Sequence, residues 1–218
     1  DFEPMALAAS LAGIVVLVVA LLIGPQMARQ DLRTDLVHAD LLKTYPLRGW
    51  QIVLGEMLTP VVILSVVAWL ALLTTWLALP DSAIAKIPPG LRGEAALGIA
   101  LLVPPFVAVQ LLMPNAATVL FPAWVQSTGD RMERGIEVMG QRLIFVVSQF
   151  VVTALAILPA LIVGGLVFSV VNLAAGMTVG AALAVIAMAA LLAFEVWLGI
   201  RWLGNRFEAL DISSELRA

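Results

Sequence analysis

Apolar residues run along this chain in long blocks, and short charged segments separate them. The first block covers positions 4–24 and closes on Gly24-Pro25, a helix-stopping pair. Positions 26–51 are polar and hold Arg29, Asp31, Arg33, Asp35, His38, Asp40, Lys43 and Arg48. A second block spans 52–79, and a Pro- and Gly-containing loop at 80–94 follows it. The third block, 95–125, is too long for one straight span and carries Pro104, Pro105, Pro114 and Pro122. Proline inside a helix removes a backbone hydrogen bond and kinks it. This block predicts one kinked or broken span, with a short re-entrant pair as the alternative. Positions 126–142 are charged again. The stretch 143–199 is nearly uncharged and long enough for two spans, 143–165 and 176–200, joined by a connector around Asn172. A polar tail occupies 201–218.

Each block reaches the roughly 18–20 apolar residues needed to cross a bilayer core. The blocks are continuous, whereas barrel strands alternate apolar and polar positions, so the spans are helices. The predicted fold is an all-α integral membrane protein. It is a polytopic helical bundle with about five transmembrane helices in a single domain, 1–218, plus an amphipathic helix in the first polar segment. Composition sharpens this: 62% of residues are hydrophobic and 12% charged, against about half and a quarter in soluble domains.

Basic residues set the orientation. The chain has twelve Lys and Arg; ten fall on one side of these spans, and only Lys86 and Arg92 on the other. By the positive-inside rule, segment 26–51, loop 126–142 and the C-terminus are cytoplasmic. The chain opens on Asp1-Phe2-Glu3 without the basic region of a signal peptide. An odd span number with an outside N-terminus leads us to expect an upstream part. The net charge of −3 names no partner, and no nucleic acid is expected. The absence of cysteine excludes disulfides and thiolate metal sites.

No G-x-x-x-x-G-K-[ST] occurs, so the chain is not expected to hydrolyse ATP through a P-loop. H-E-x-x-H and G-x-S-x-G are also missing. One histidine, His38, cannot build a zinc site, so neither a metal nor a catalytic group is expected.

Positions 27–44 predict a helix, with Ala28, Leu32, Leu36, Ala39 and Leu42 along one side and Asp35 and Lys43 intruding. Pro46 pushes Tyr45 out of helical geometry. Leu47-Arg48-Gly49 then turns the chain, and Trp50 suits an interfacial anchor. "DLRTDLVHADLLKTYPLRGWQIVLGEML" resembles the cytoplasmic segment between the second and third spans of ABC-2 type permeases. Leu41-Leu42, Tyr45-Pro46, Arg48 and Gly55-Glu56 carry that resemblance. "LLKTYPLRGWQIVLGE", "RGIEVMGQRL" and the terminal "RFEALD" are similar to the C-terminal part of bacterial putative ABC exporters. These motifs cover about a quarter of the chain, and none is catalytic.

The resemblance implies a permease subunit in a bacterial inner membrane, paired with a second permease as a homodimer or related pair. A separate ATPase subunit would bind ATP and Mg and dock on the cytoplasmic helix. Leu32, Leu36, Leu41, Leu42, Lys43, Tyr45, Pro46 and Arg48 are the coupling candidates. Apolar side chains there suit a partner groove, and the cations its rim. The bland alternative lays the same helix on the lipid surface. Arg131, Arg134 and Glu137 mark a second docking loop or a solvated connection.

Polar residues inside spans are costly in lipid and so informative. Gln110, Pro114, Asn115 and Thr118 are candidates for a translocation path; the alternative is hydrogen bonding that packs spans together. Glu195 is a buried carboxylate, expected to pair with an arginine near the interface, with proton coupling as the other reading. Gly176 and Gly180 form a small-xxx-small pair suited to close helix approach, within the chain or against a second copy. The functional expectation is the membrane subunit of an ATP-driven exporter. An ion-coupled secondary transporter and a membrane-embedded enzyme or assembly factor are the alternatives.

Overall fold

A computed structural model of the chain describes residues 2–27, 46–79, 89–120 and 136–209. The helices are α1 (Phe2–Leu22), α2 (Gly24–Met27), α3 (Gly49–Ala78), α4 (Pro89–Leu120), α5 (Ile136–Ala175) and α6 (Met177–Ala209). No strand occurs among the described residues. Five of these helices are long and apolar enough to cross a membrane. The protein is an all-α, multi-pass membrane bundle.

Two boundaries differ from the sequence expectation, each for a physical reason. As far as Leu120 the third block is one continuous helix, α4, through Pro104, Pro105 and Pro114, and no re-entrant pair; positions 121–125, with Pro122, lie outside the described residues. The Ala100 carbonyl freed by Pro104 finds a donor on a neighbouring helix, as described below. The connector expected around Asn172 is a single residue. Gly176 has φ +86 and turns the chain directly from α5 into α6. Left-handed backbone favours glycine, which has no Cβ to clash. The Gly176 N–H donates to the Asn172 carbonyl at 3.2 Å, closing the last turn of α5. The spans expected at 143–165 and 176–200 therefore lengthen into helices of 40 and 33 residues.

The packing order follows from close approaches. Gly98 faces Val185, and Gly199 faces Leu112. Both pairs have the same offset in sequence, so α4 and α6 run parallel. Gly13 meets Thr75 while Gly24 meets Leu64, so α1 and α3 are antiparallel. The α5–α6 hairpin is tight: Gly180 lies against Asn172, and Gly164 takes the Met188 side chain. Helix α6 packs on α5, α4 and α3, and α1 packs chiefly on α3. Helix α4 buries 39% of its most apolar stretch, the other four spans 17% each. That places α4 at the centre.

The core joins Val53 and Met57 of α3, Val103, Val107 and Leu111 of α4, and Leu192, Leu203 and Phe207 of α6. Around it, large apolar side chains point outward in bands, among them Leu70 and Leu73 of α3 and Leu155, Leu158 and Leu161 of α5. A bilayer is the solvent that suits such a surface, because lipid chains are as apolar as leucine.

Candidate functional site

Two features stand out where these helices meet. The first is the start of α3, directly after the polar segment; the second is the buried polar seam along α4.

At the first, Pro46 and Leu47 are exposed and non-helical, and Arg48 is extended with φ −75 and ψ 146. The first turn of any helix leaves backbone N–H groups without internal partners. Gln51 Oε1 accepts the Arg48 N–H at 2.9 Å. This is the Gln half of a capping box; arginine offers no acceptor for the other half. The Gly49 N–H donates to Oε1 of Glu208, a residue 159 positions away on α6. A carboxylate at a helix N-terminus also meets the positive end of the helix dipole.

Glycine makes this capping reachable. Gly49 and Gly204 are both buried and touch backbone to backbone. A Cβ on Gly49 would strike the Gly204 carbonyl, and one on Gly204 would strike the Trp50 backbone. Beside this crossing, the Arg201 guanidinium carbon stands 4.7 Å from the Trp197 ring centroid and 5.8 Å from that of Trp50. Cation–π contact within about 6 Å is attractive. The entry to α3 is thus fixed to the end of α6 by one hydrogen bond, one glycine crossing and one arginine. Sequence reading gave Trp50 as an anchor and had no signal for Gly204, Glu208 or Arg201 as its partners.

The coupling candidates Leu32, Leu36, Leu41, Leu42, Lys43 and Tyr45 lie outside the described residues, as do Arg131 and Arg134. Glu137 falls in α5. Only Pro46 and Arg48 of the coupling set are placed, at the mouth of this junction.

In the seam, Gln110, Asn115 and Thr118 are 3%, 1% and 0% exposed. Gln110 Nε2 donates to the Leu21 carbonyl at 2.7 Å. The chemistry is local to α1. In a continuing helix the Leu21 carbonyl would accept from residue 25, but Pro25 has no N–H. Gln110 supplies the missing donor from α4. The same logic recurs on the far side of α4. Pro104 frees the Ala100 carbonyl, and Trp69 Nε1 of α3 donates to it at 2.9 Å. Two proline-freed carbonyls therefore tie α1 to α4 and α4 to α3. Such re-satisfaction is what makes proline tolerable inside a membrane helix.

Asn115 Nδ2 donates to the Leu111 carbonyl and Thr118 Oγ1 to the Pro114 carbonyl, both at 2.8 Å. These bonds stay within α4. The four path candidates share one helix, and these bonds of Gln110, Asn115 and Thr118 all go to backbone carbonyls.

Glu195 is half-buried, and its Oε2 has no hydrogen-bond partner. The register of α4 and α6 puts it level with Ala108. No bond joins it to Arg201, which stands over the two tryptophans. Gln149 of α5 is buried with both amide atoms unpartnered. Gly180 packs within the chain, against Asn172, and Gly176 forms the turn. No group of three or more His, Cys, Asp or Glu able to hold a metal occurs among the described residues. Comparison with family models, with curated proteins and with solved structures finds no match.

Proposed function

We propose that the chain is the membrane-spanning subunit of an ATP-driven exporter of the ABC-2 type. It moves a substrate outward with energy from a separate ATPase subunit that binds ATP and Mg. The ABC-2-like motif from Leu41 to Glu56 motivates the class. The observation that carries the mechanism is the junction at Gly49. This glycine lies at the end of the polar segment 26–51 and is tied to α6 through Glu208 and Gly204.

A push on segment 26–48 is therefore delivered to α3 and α6 together. Helix α4 packs on both, so the central helix shifts with them. A flexible entry would dissipate the same displacement. Two such bundles, as a homodimer or a paired permease, would enclose the path. ATP drives the change only by binding one arrangement better than the other. The ten basic residues on one side orient the segment and the C-terminus toward the cytoplasm of a bacterial inner membrane.

The test replaces Leu41 and Leu42 with Asp together. Association with the ATPase should be lost while membrane insertion and bundle stability persist. Unchanged co-purification removes the docking claim.

A second reading, an ion-coupled transporter, is favoured by one observation, the unpartnered Oε2 of Glu195. It requires that Glu195→Gln abolish transport driven by a pH gradient in vesicles lacking ATP.

A further inference from the structure

A groove of about 540 Å³ runs between α4 and α6 at the end of the bundle away from the Gly49 junction. That volume is in the range of small-molecule sites. Its walls are apolar: Leu97, Gly98 and Leu101 on one side, Ala182 and Val185 on the other. The space exists because the residues are small. Gly98 brings α4 to within 3.3 Å of Val185, measured from where its Cβ would stand, and Ala181 and Ala182 leave α6 without bulk. From Glu94 to Leu102 the groove follows about 12 Å of helix. It lies open to the lipid side, where Leu97 is 73% exposed.

Among the described residues, one charged residue lines it. Glu94 stands at its end, where the apolar span Gly93–Leu120 begins. Its Oε2 is shielded from solvent and has no hydrogen-bond partner. The facing wall of α6 contributes Ala181, Ala182, Val185 and Ile186, and no cation. A carboxylate oxygen shielded from solvent without a donor is costly, and a cationic donor is its strongest partner. An inorganic divalent cation would need about six oxygens, and this groove offers one side chain. An anionic head group would be repelled, and a neutral one would leave the charge uncompensated.

We propose that this groove binds an amine-bearing amphiphile, its ammonium on Glu94 and its chain along Leu97, Leu101 and Val185. The site does not depend on the exporter reading. A second groove, about 340 Å³ and lined by Trp69, Trp76, Leu97 and Ala100 among others, flanks the opposite side of α4, with no charged residue among the described ones. It serves as an internal control.

The experiment uses the full chain in lipid nanodiscs and a dodecylammonium probe with a diazirine at its chain end. Mass spectrometry locates the crosslinks, and dodecylammonium, dodecyl sulfate and dodecanol compete. We expect labelling on Leu101, Leu102 and 181–186, which line this groove and not the second one, displaced by the ammonium alone. Glu94→Gln should weaken it by about tenfold or more, as loss of a charge-assisted bond implies. Ala182→Phe should fill the groove and abolish labelling there. Labelling of the Trp69–Trp76 groove should persist in both variants, which shows that they fold, and should ignore head-group charge. Competition by phosphatidylethanolamine in the nanodisc would identify a membrane lipid as the source. Competition by the free amine alone would identify a soluble amphiphile; both support the site. Equal competition by dodecyl sulfate, or unchanged labelling in Glu94→Gln, overturns it.

Discussion

Replacing Gln110 with Leu keeps the side-chain volume near constant and removes one donor. In the native chain that donor serves the Leu21 carbonyl, which Pro25 leaves without a partner. Leu21 packs against the core and Gln110 is buried, so water cannot readily replace the lost bond. Leaving a buried acceptor unmade costs about 1–3 kcal/mol. For a chain of this size that corresponds to a fall of about 2–12 °C in Tm. The informative measurement is a double-mutant cycle with Pro25→Ala. Alanine restores the N–H at position 25, so α1 can satisfy Leu21 itself. Gln110→Leu should then cost little, and the coupling between the sites should be about 1–2 kcal/mol. Any cavity left by the buried Pro25 ring enters both backgrounds and cancels. Thermal or denaturant unfolding in bicelles provides the readout. Equal cost of Gln110→Leu in both backgrounds would refute the carbonyl argument.

The remaining predictions follow from the same contacts. Trp69→Phe should cost about 0.5–1.5 kcal/mol through the Ala100 carbonyl, and Pro104→Ala should remove most of that cost; unfolding midpoints of the four proteins decide it. Gly204→Leu has no space against the Trp50 backbone and should destabilise by at least the roughly 1–3 kcal/mol typical of overpacking. Limited proteolysis at the start of α3 checks this, and native-like resistance would contradict it. Glu208→Leu should release the Gly49 N–H at a cost of about 1.5–3 kcal/mol, whereas Glu208→Gln retains an acceptor and should cost less; hydrogen exchange at Gly49 separates them. Arg201→Leu should lose about 0.5–2 kcal/mol of cation–π stabilisation, read from unfolding of the purified protein.

Much of this architecture is written locally. Long apolar blocks and the Gly24-Pro25 stop locate the spans, because bilayer crossing depends only on length and hydropathy. The α5–α6 turn was harder to place, since one left-handed glycine replaces a loop that composition seemed to need. Gly164 and Gly165 suggest a break, yet they lie inside α5, where lipid gives the backbone no alternative partners. The prolines of α4 likewise suggest a broken span. What helps continuity at Pro104 is a side chain of another helix, the Trp69 donor of α3.

The site shows the same division. That Pro25 orphans the Leu21 carbonyl is legible from five residues of sequence. That Gln110 answers it requires the packing of α1 on α4. Gln110 stands out in the sequence as a polar residue in a span, and its bond to the Leu21 carbonyl joins α4 to α1. The Gly49 junction was only half legible: Gly49 and Glu208 lie in the motifs LLKTYPLRGWQIVLGE and RFEALD, but nothing local pairs them or points to Gly204, because the partners are 155 and 159 positions away.

The chain has no cysteine, so an introduced one is unique. A benzophenone-maleimide placed on Leu41→Cys, and separately on Leu79→Cys at the other end of α3, reports what each position touches in the native membrane. Docking of an ATPase on the polar segment predicts a crosslink at position 41 to a protein carrying G-x-x-x-x-G-K-[ST], and none to it at 79. Crosslinks to lipid alone at position 41 would contradict the exporter account and leave that helix as an interfacial anchor.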